Sequence, residues 1–146
     1  MSSDAFDALV QAFPARVVEG PIAPHECDEC AAIRAALTGR TWIEVPDSVA
    51  EEFSGSLPLL TEDAYNAYLP VWLRAALNDS SCEAASMLLI NLADEPPTTK
   101  FSREQARTIL LVARTVVQQN YWGPEDEGNL INLRAIEAAW GAESAA

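Results

Sequence analysis

Residues 102–117 carry the pattern that most restricts what this chain folds into. Ser102-Arg103-Glu104-Gln105 is a capping box, in which the serine hydroxyl and the glutamine side chain satisfy each other's backbone amides at a helix start. Behind it, Ala106, Ile109, Leu110, Ala113, Val116 and Val117 fall at i, i+3, i+4, i+7, i+10 and i+11. A helix places those six side chains on one face, whereas a strand divides them between two. Arg103, Arg107 and Arg114 lie on or near the polar side. A continuous apolar face of this length requires other elements to cover it.

The same period recurs along the chain, divided by proline and glycine. Residues 3–13 read as a short helix capped by Ser3 or Asp4, with Phe6, Leu9, Val10 and Phe13 on one face and Pro14 beyond it. Pro24 suits the first turn of a second helix and Gly39 its end, with Cys30, Ile33, Ala36 and Leu37 inward. A third, short helix begins at Asp47 or Ser48 and stops at Gly55, followed by the apolar connector Leu57-Pro58-Leu59-Leu60. Thr61 caps a helix carrying Tyr65, Tyr68, Leu69, Trp72, Leu73, Ala76 and Leu77, which Pro70 should bend or restart. Ser80 and Glu83 form another capping-box pattern before an apolar helix over 84–93, and Pro96-Pro97 follows it. Tyr121-Trp122-Gly123-Pro124 reads as a turn, and a last helix runs from about Glu125 to Trp140, ended by Gly141. The fold expected is all-α: one domain over residues 1–146, an irregular or orthogonal bundle of six to seven helices, frayed at 143–146. A minor β-ribbon between 16–18 and 41–45 is a variant of that expectation.

Hydrophobic residues make up 49% of the chain, enough for a core. A domain of this length buries about two-thirds of its unfolded surface. No apolar run reaches the roughly 20 residues of a membrane span. Met1-Ser2-Ser3-Asp4 lacks the basic start of a signal peptide, so the expectation is a cytoplasmic protein. The charge is lopsided: 22 acids face 9 bases, for a net charge of −13. Twelve of the acids lie in residues 1–63 with three arginines, Arg16, Arg34 and Arg40, and Lys100 is the only lysine. Such a field repels nucleic acid and anionic membrane and attracts basic surfaces. The plain alternative is that the charge only maintains solubility.

The chemistry-bearing residues gather in His25-Glu26-Cys27-Asp28-Glu29-Cys30, which holds the only histidine and two of three cysteines. With Cys82 these make a Cys3His set, a complement suited to structural zinc. Within a regular helix, however, His25 and Cys27 lie about 200° apart around the axis. Convergence therefore needs an extended chain before Cys27, and Cys82 must arrive from a distant helix start. A redox role needs a thiolate stabilised at a helix N-terminus, which Glu26, Asp28 and Glu29 oppose, and no thioredoxin-like βαβ pattern surrounds the pair. A Cys–His hydrolase has one histidine to draw on, two residues from Cys27. No nucleophile elbow, phosphate loop, dinucleotide fingerprint or HExxH occurs. The paired carboxylates Glu51-Glu52 and Glu62-Asp63 have helix-surface explanations. No enzyme is expected. Tyr65, Tyr68 and Trp72, at i, i+3 and i+7, make either a core stripe or an interface anchor.

Three patches together resemble a family of small uncharacterised bacterial helical proteins. They are His25-x-Cys27-x-x-Cys30 before an apolar helix, Leu57-Pro58-Leu59-Leu60-Thr61 continuing into Ala64-Tyr65-x-x-Tyr68-Leu69-Pro70-x-x-Leu73-x-x-Ala76-Leu77, and Phe101-Ser102-x-Glu104-Gln105. The resemblance spans residues 25–118 and implies a helical fold without an assigned activity. Cys82 is not part of the pattern.

The function expected from these readings is an acidic protein-binding antagonist. Examples are an immunity protein or an inhibitor of a basic, nucleic-acid-acting bacterial toxin or enzyme. Its contacts would be Glu26, Asp28, Glu29, Glu51, Glu52, Glu62 and Asp63, with Trp42 as an anchor, and no direct nucleic-acid or membrane partner. The alternative is a zinc-binding helical module built on His25, Cys27 and Cys30, with Cys82 as a fourth ligand; otherwise no cofactor is implied.

Overall fold

The computed structural model describes residues 3–94, 101–119 and 126–145. Over these the chain forms seven α-helices: α1 (Ser3–Ala12), α2 (Asp28–Leu37), α3 (Asp47–Glu52), α4 (Glu62–Asn78), α5 (Glu83–Asp94), α6 (Arg103–Gln119) and α7 (Glu127–Ala145). A 310 turn, Leu57–Leu59, joins α3 to α4. The all-α expectation holds, and the described residues contain no strand. The ribbon is absent. Residues 14–19 have no regular structure, and 42–44 form turns closed by Glu44 N–H to Thr41 O at 3.0 Å. The turns Tyr121–Pro124 and Pro96-Pro97 and the start at Glu125 lie outside the described residues.

Helix α4 is the centre. Twelve of its 17 residues are buried, and α1, α3, α5 and α6 pack around it. Thr61 caps it as expected: its Oγ1 accepts from Ala64 N–H at 3.2 Å. Pro70 neither restarts nor ends the helix, which is continuous from Glu62 to Asn78 with Pro70 buried. A proline inside a helix forfeits a backbone bond; here the surrounding packing holds the helix through it.

The stripe Tyr68 and Trp72 is core, with no exposed surface. The Tyr68 hydroxyl donates to the carbonyls of Leu37 and Arg40, at 3.0 and 2.7 Å, so it ties the end of α2 to α4. Trp72 Nε1 donates to Phe53 O at 3.3 Å. Tyr65 is half-buried, and its hydroxyl bonds the Asn91 side chain on α5. Arg74 pins the turn before α3. Its guanidinium donates to Asp47 Oδ1 at 2.6 Å, to Trp42 O at 3.2 Å and to Val45 O, and it lies 5.7 Å from the centre of the Trp42 ring.

The capping box at α6 forms in full. Gln105 N–H donates to Ser102 Oγ, and Ser102 N–H donates to Gln105 Oε1, both at 3.0 Å. The glutamine does more than close the box. Buried, it also accepts from Asn66 Nδ2 of α4 at 3.1 Å and donates from Nε2 to Ala12 O, at the end of α1, at 3.1 Å. One side chain thus joins α1, α4 and α6. Nearby, Phe101 meets Phe13, Tyr65 and Trp140 edge to face, with centroids 6.5, 5.9 and 5.1 Å apart. Such pairs add about 0.5–1.5 kcal/mol each beyond area burial.

Three local expectations change. On α1 the inward residues are Ala5, Leu9 and Ala12, while Val10 is 58% exposed and Phe6 half-buried. The Ser80–Glu83 box does not form: Ser80 Oγ donates to Gln119 O at 2.7 Å, and Cys82 Sγ accepts from Ala85 N–H at 3.4 Å at the start of α5. Helix α7 passes through Gly141 and runs to Ala145.

Gln105→Ala should lower the unfolding free energy by roughly 2–4 kcal/mol, because it strands buried partners on two other helices. Ser102→Ala, which removes only a cap, should cost about 1 kcal/mol. Urea denaturation followed by circular dichroism compares the two; equal losses would show that Gln105 acts as a cap alone.

Candidate functional site

The candidate site is built around the start of α2, and what positions it is the strap 21–25. Thr61 donates twice to this strap, from N–H to Ile22 O at 2.9 Å and from Oγ1 to Pro21 O at 2.8 Å. Arg34, on α2, donates Nη1 to Ala23 O at 2.8 Å and to His25 O at 2.7 Å. Ile22 and Ala23 are buried beneath. The strap therefore links the N-cap of α4 to a side chain from the last turn of α2 before the chain enters that helix.

Helix α2 starts later than proline placement suggests. Pro24 lies outside it, and Cys27 is the N-cap, with extended backbone (φ −73°, ψ 162°). Cys27 Sγ accepts from Cys30 N–H at 3.4 Å, and Ala31 N–H donates to Cys27 O at 3.0 Å. Glu26 thus falls outside the first turn, while Asp28 and Glu29 lie within it. Glu29 Oε1 accepts from the buried Ser56 hydroxyl at 3.0 Å, which brings the α3–α4 connector to the same place.

The structure gathers some of the expected contact residues and separates others. Glu26, Asp28 and Glu29 are exposed at the α2 start, and Glu62 and Asp63 are exposed in the first turn of α4. Asp63 is partly neutralised by Arg16, 2.9 Å away, which also donates to Asp63 O and Asn66 Oδ1. Glu52 is exposed at the end of α3, four residues before Ser56. Glu51 belongs elsewhere: with Asp79 it bears on the Cys82 thiol, at the far end of α4. Trp42 is not an anchor. It is 3% exposed, and its Nε1 donates to Phe13 O at 2.9 Å, because the turn it occupies folds inward over α1.

The four soft ligands do not assemble. Among the described residues no group of three or more His, Cys, Asp or Glu is placed to hold a metal ion. Cys82 follows the C-terminus of α4, while the strap bonds its N-cap, and a 17-residue helix is about 25 Å long. Cys82 instead caps α5, so it already has a structural task.

The thiols are nevertheless differentiated. The Cys30 amide, followed by the Cys30 side chain, holds the exposed Cys27 thiol below its ordinary value. Cys30 is pushed up, first by burial and then by Cys27; Cys82 is pushed up by burial above all. The hydrogen bonds at the helix start thus outweigh the neighbouring acids that made a low thiol unexpected. Cysteine is a weak acceptor, so nothing in the sequence marked Cys27 as the cap that the structure shows. Arg34 and Ser56, both essential to the site's shape, carry no sequence signature.

No protein-family model, no curated protein and no solved structure matches this chain. The site therefore rests on its own geometry.

Alkylation with iodoacetamide between pH 6 and 10 should label Cys27 with a midpoint below the free-thiol value of about 8.5. As pH falls, Cys27 should keep its reactivity longest, with Cys30 and Cys82 losing theirs earlier, at midpoints above that value. Peptide mass spectrometry at each pH reads the order.

Proposed function

We propose that this protein is an acidic antagonist that covers the basic substrate cleft of a nucleic-acid-acting bacterial protein, a toxin or nuclease, as an immunity protein does. The observation that carries this reading is the strap. It runs from the N-cap of α4, where Thr61 holds it, into the start of α2, and Glu26, Asp28, Glu29, Glu62 and Asp63 are exposed at these two helix starts. Two of these five have bonded partners, Ser56 for Glu29 and Arg16 for Asp63. Exposed carboxylates at helix starts are held in place by the backbone, so they present a pre-arranged field to a cationic groove. The net charge of −13 supports the same reading, since it speeds encounter with a basic partner. No helix among the described residues is long and apolar enough to cross a membrane.

Protein purified from the host should inhibit plasmid cleavage by the basic nuclease or toxin encoded beside its gene. The combined variant Glu26→Gln, Asp28→Asn, Glu29→Gln and Glu62→Gln should slow association at low salt by about tenfold or more, with a smaller effect at high salt. Surface plasmon resonance measures both. A pull-down from the native host that recovers no basic protein at low or physiological salt overturns the reading.

A further inference from the structure

The acidic start of α2 also contains two thiols in different states of access. Cys27 is exposed and lies outside the helix; Cys30 has no exposed surface. The Cys27 sulfur is turned back over the first turn, 3.4 Å from the Cys30 amide nitrogen. Residues three apart on a helix have Cβ atoms about 5–6 Å apart, and a disulfide needs about 3.5–4.5 Å. Cys27 is free of helical dihedrals, with ψ at 162°, so a shift of about 1–2 Å at the helix mouth closes that gap. The strap fixes the chain on the upstream side through His25 O and Arg34.

We propose that Cys27 and Cys30 form a thiol–disulfide exchange site that takes small cationic disulfides and closes into a reversible Cys27–Cys30 bridge. Cys27, as thiolate, attacks one sulfur of the disulfide RS–SR. The S–S bond breaks, a mixed disulfide forms on Cys27, and RS⁻ leaves to take up a proton. The Cys30 thiol then loses its proton and attacks the Cys27 sulfur, and the second RS⁻ leaves and is protonated. The two thiols lose two hydrogens in total, and the disulfide is reduced to two RSH. Cys27 accounts for the first step because it is reached from solvent, and Cys30 for the second because it is closed to solvent and lies one helical turn from the Cys27 sulfur. The reduced pair is restored by the reverse exchange with excess small thiol.

The charge around the pair selects the reagent. Glu26, Asp28 and Glu29 surround Cys27, and all three are exposed. Arg34 is the basic group acting on Cys30, and it is engaged beneath the strap. A cationic disulfide is concentrated at this end and an anionic one is repelled. The inference does not rest on the antagonist reading, since it concerns the two sulfurs and the charges beside them.

The test incubates the full chain with cystamine, a cationic disulfide, or with glutathione disulfide, an anionic one, and follows intact mass. Wild-type protein should lose two hydrogens, map to a Cys27–Cys30 bridge and leave Cys82 unmodified. Cystamine should react faster at low salt, and the difference should shrink at high salt. Cys30→Ala should instead trap the mixed disulfide on Cys27. Cys27→Ser should remove exchange at Cys30. Circular dichroism confirms that each variant is folded, and the wild-type arms decide the matter without them. A stable adduct on wild-type Cys27, modification of Cys82 ahead of Cys27, or equal rates for the two reagents at low salt overturns the proposal.

Discussion

Helix α4 has to hide most of its surface, and the fold follows from how that is done. Leu69, Val71, Trp72, Leu73 and Ala76 point in different directions around its axis, yet none has exposed area. An isolated helix of this kind is insoluble, so α1, α3, α5 and α6 must surround it. Burial on all sides also buries polar atoms, each of which requires a partner. Tyr68, Trp72, Asn66 and Arg74 supply these tips, and each bonds a different neighbour: the α2 end, the α3 end, Gln105 of α6 and the turn before α3. Among the described residues no buried side-chain nitrogen or oxygen lacks a partner. The packing and the polar bonds therefore specify the same arrangement.

The acidic helix starts have a local cause. Acids at helix starts stabilise their own helices locally by about 0.3–1 kcal/mol. Asp28 and Glu29 do this for α2, Glu62 and Asp63 for α4. Taken one helix at a time, these carboxylates need no function. The strap is what connects the two helix starts, its carbonyls shared between Thr61 and Arg34 of the last turn of α2.

The cysteines show the reverse. Three similar residues are separated by tertiary position into an exposed cap, a buried neighbour and a second cap beside Asp79 and Glu51. The acids flanking Cys27 are adjacent in sequence, but it is the Cys30 amide that donates to its sulfur, at 3.4 Å. Distance and direction outweigh formal charge here, since a donor at bonding distance acts locally while exposed carboxylates are screened by water.

The sequence by itself determined the helical class, most helix boundaries and the caps at Thr61 and Ser102, because these depend on spacing within a few residues. It also identified Tyr68 and Trp72 as one stripe. Only the tertiary structure decided that Trp42 turns inward, that Val10 faces out, that α4 passes through Pro70 and that Cys27 and Cys82 act as caps. Likewise only the fold separated Cys82 from the other soft ligands and tied the strap before α2 to the start of α4. Each of these depends on contacts between residues far apart in the chain, such as Trp42 with Phe13 and Thr61 with Pro21. Local periodicity carries no record of which distant carbonyl will be left in need of a donor.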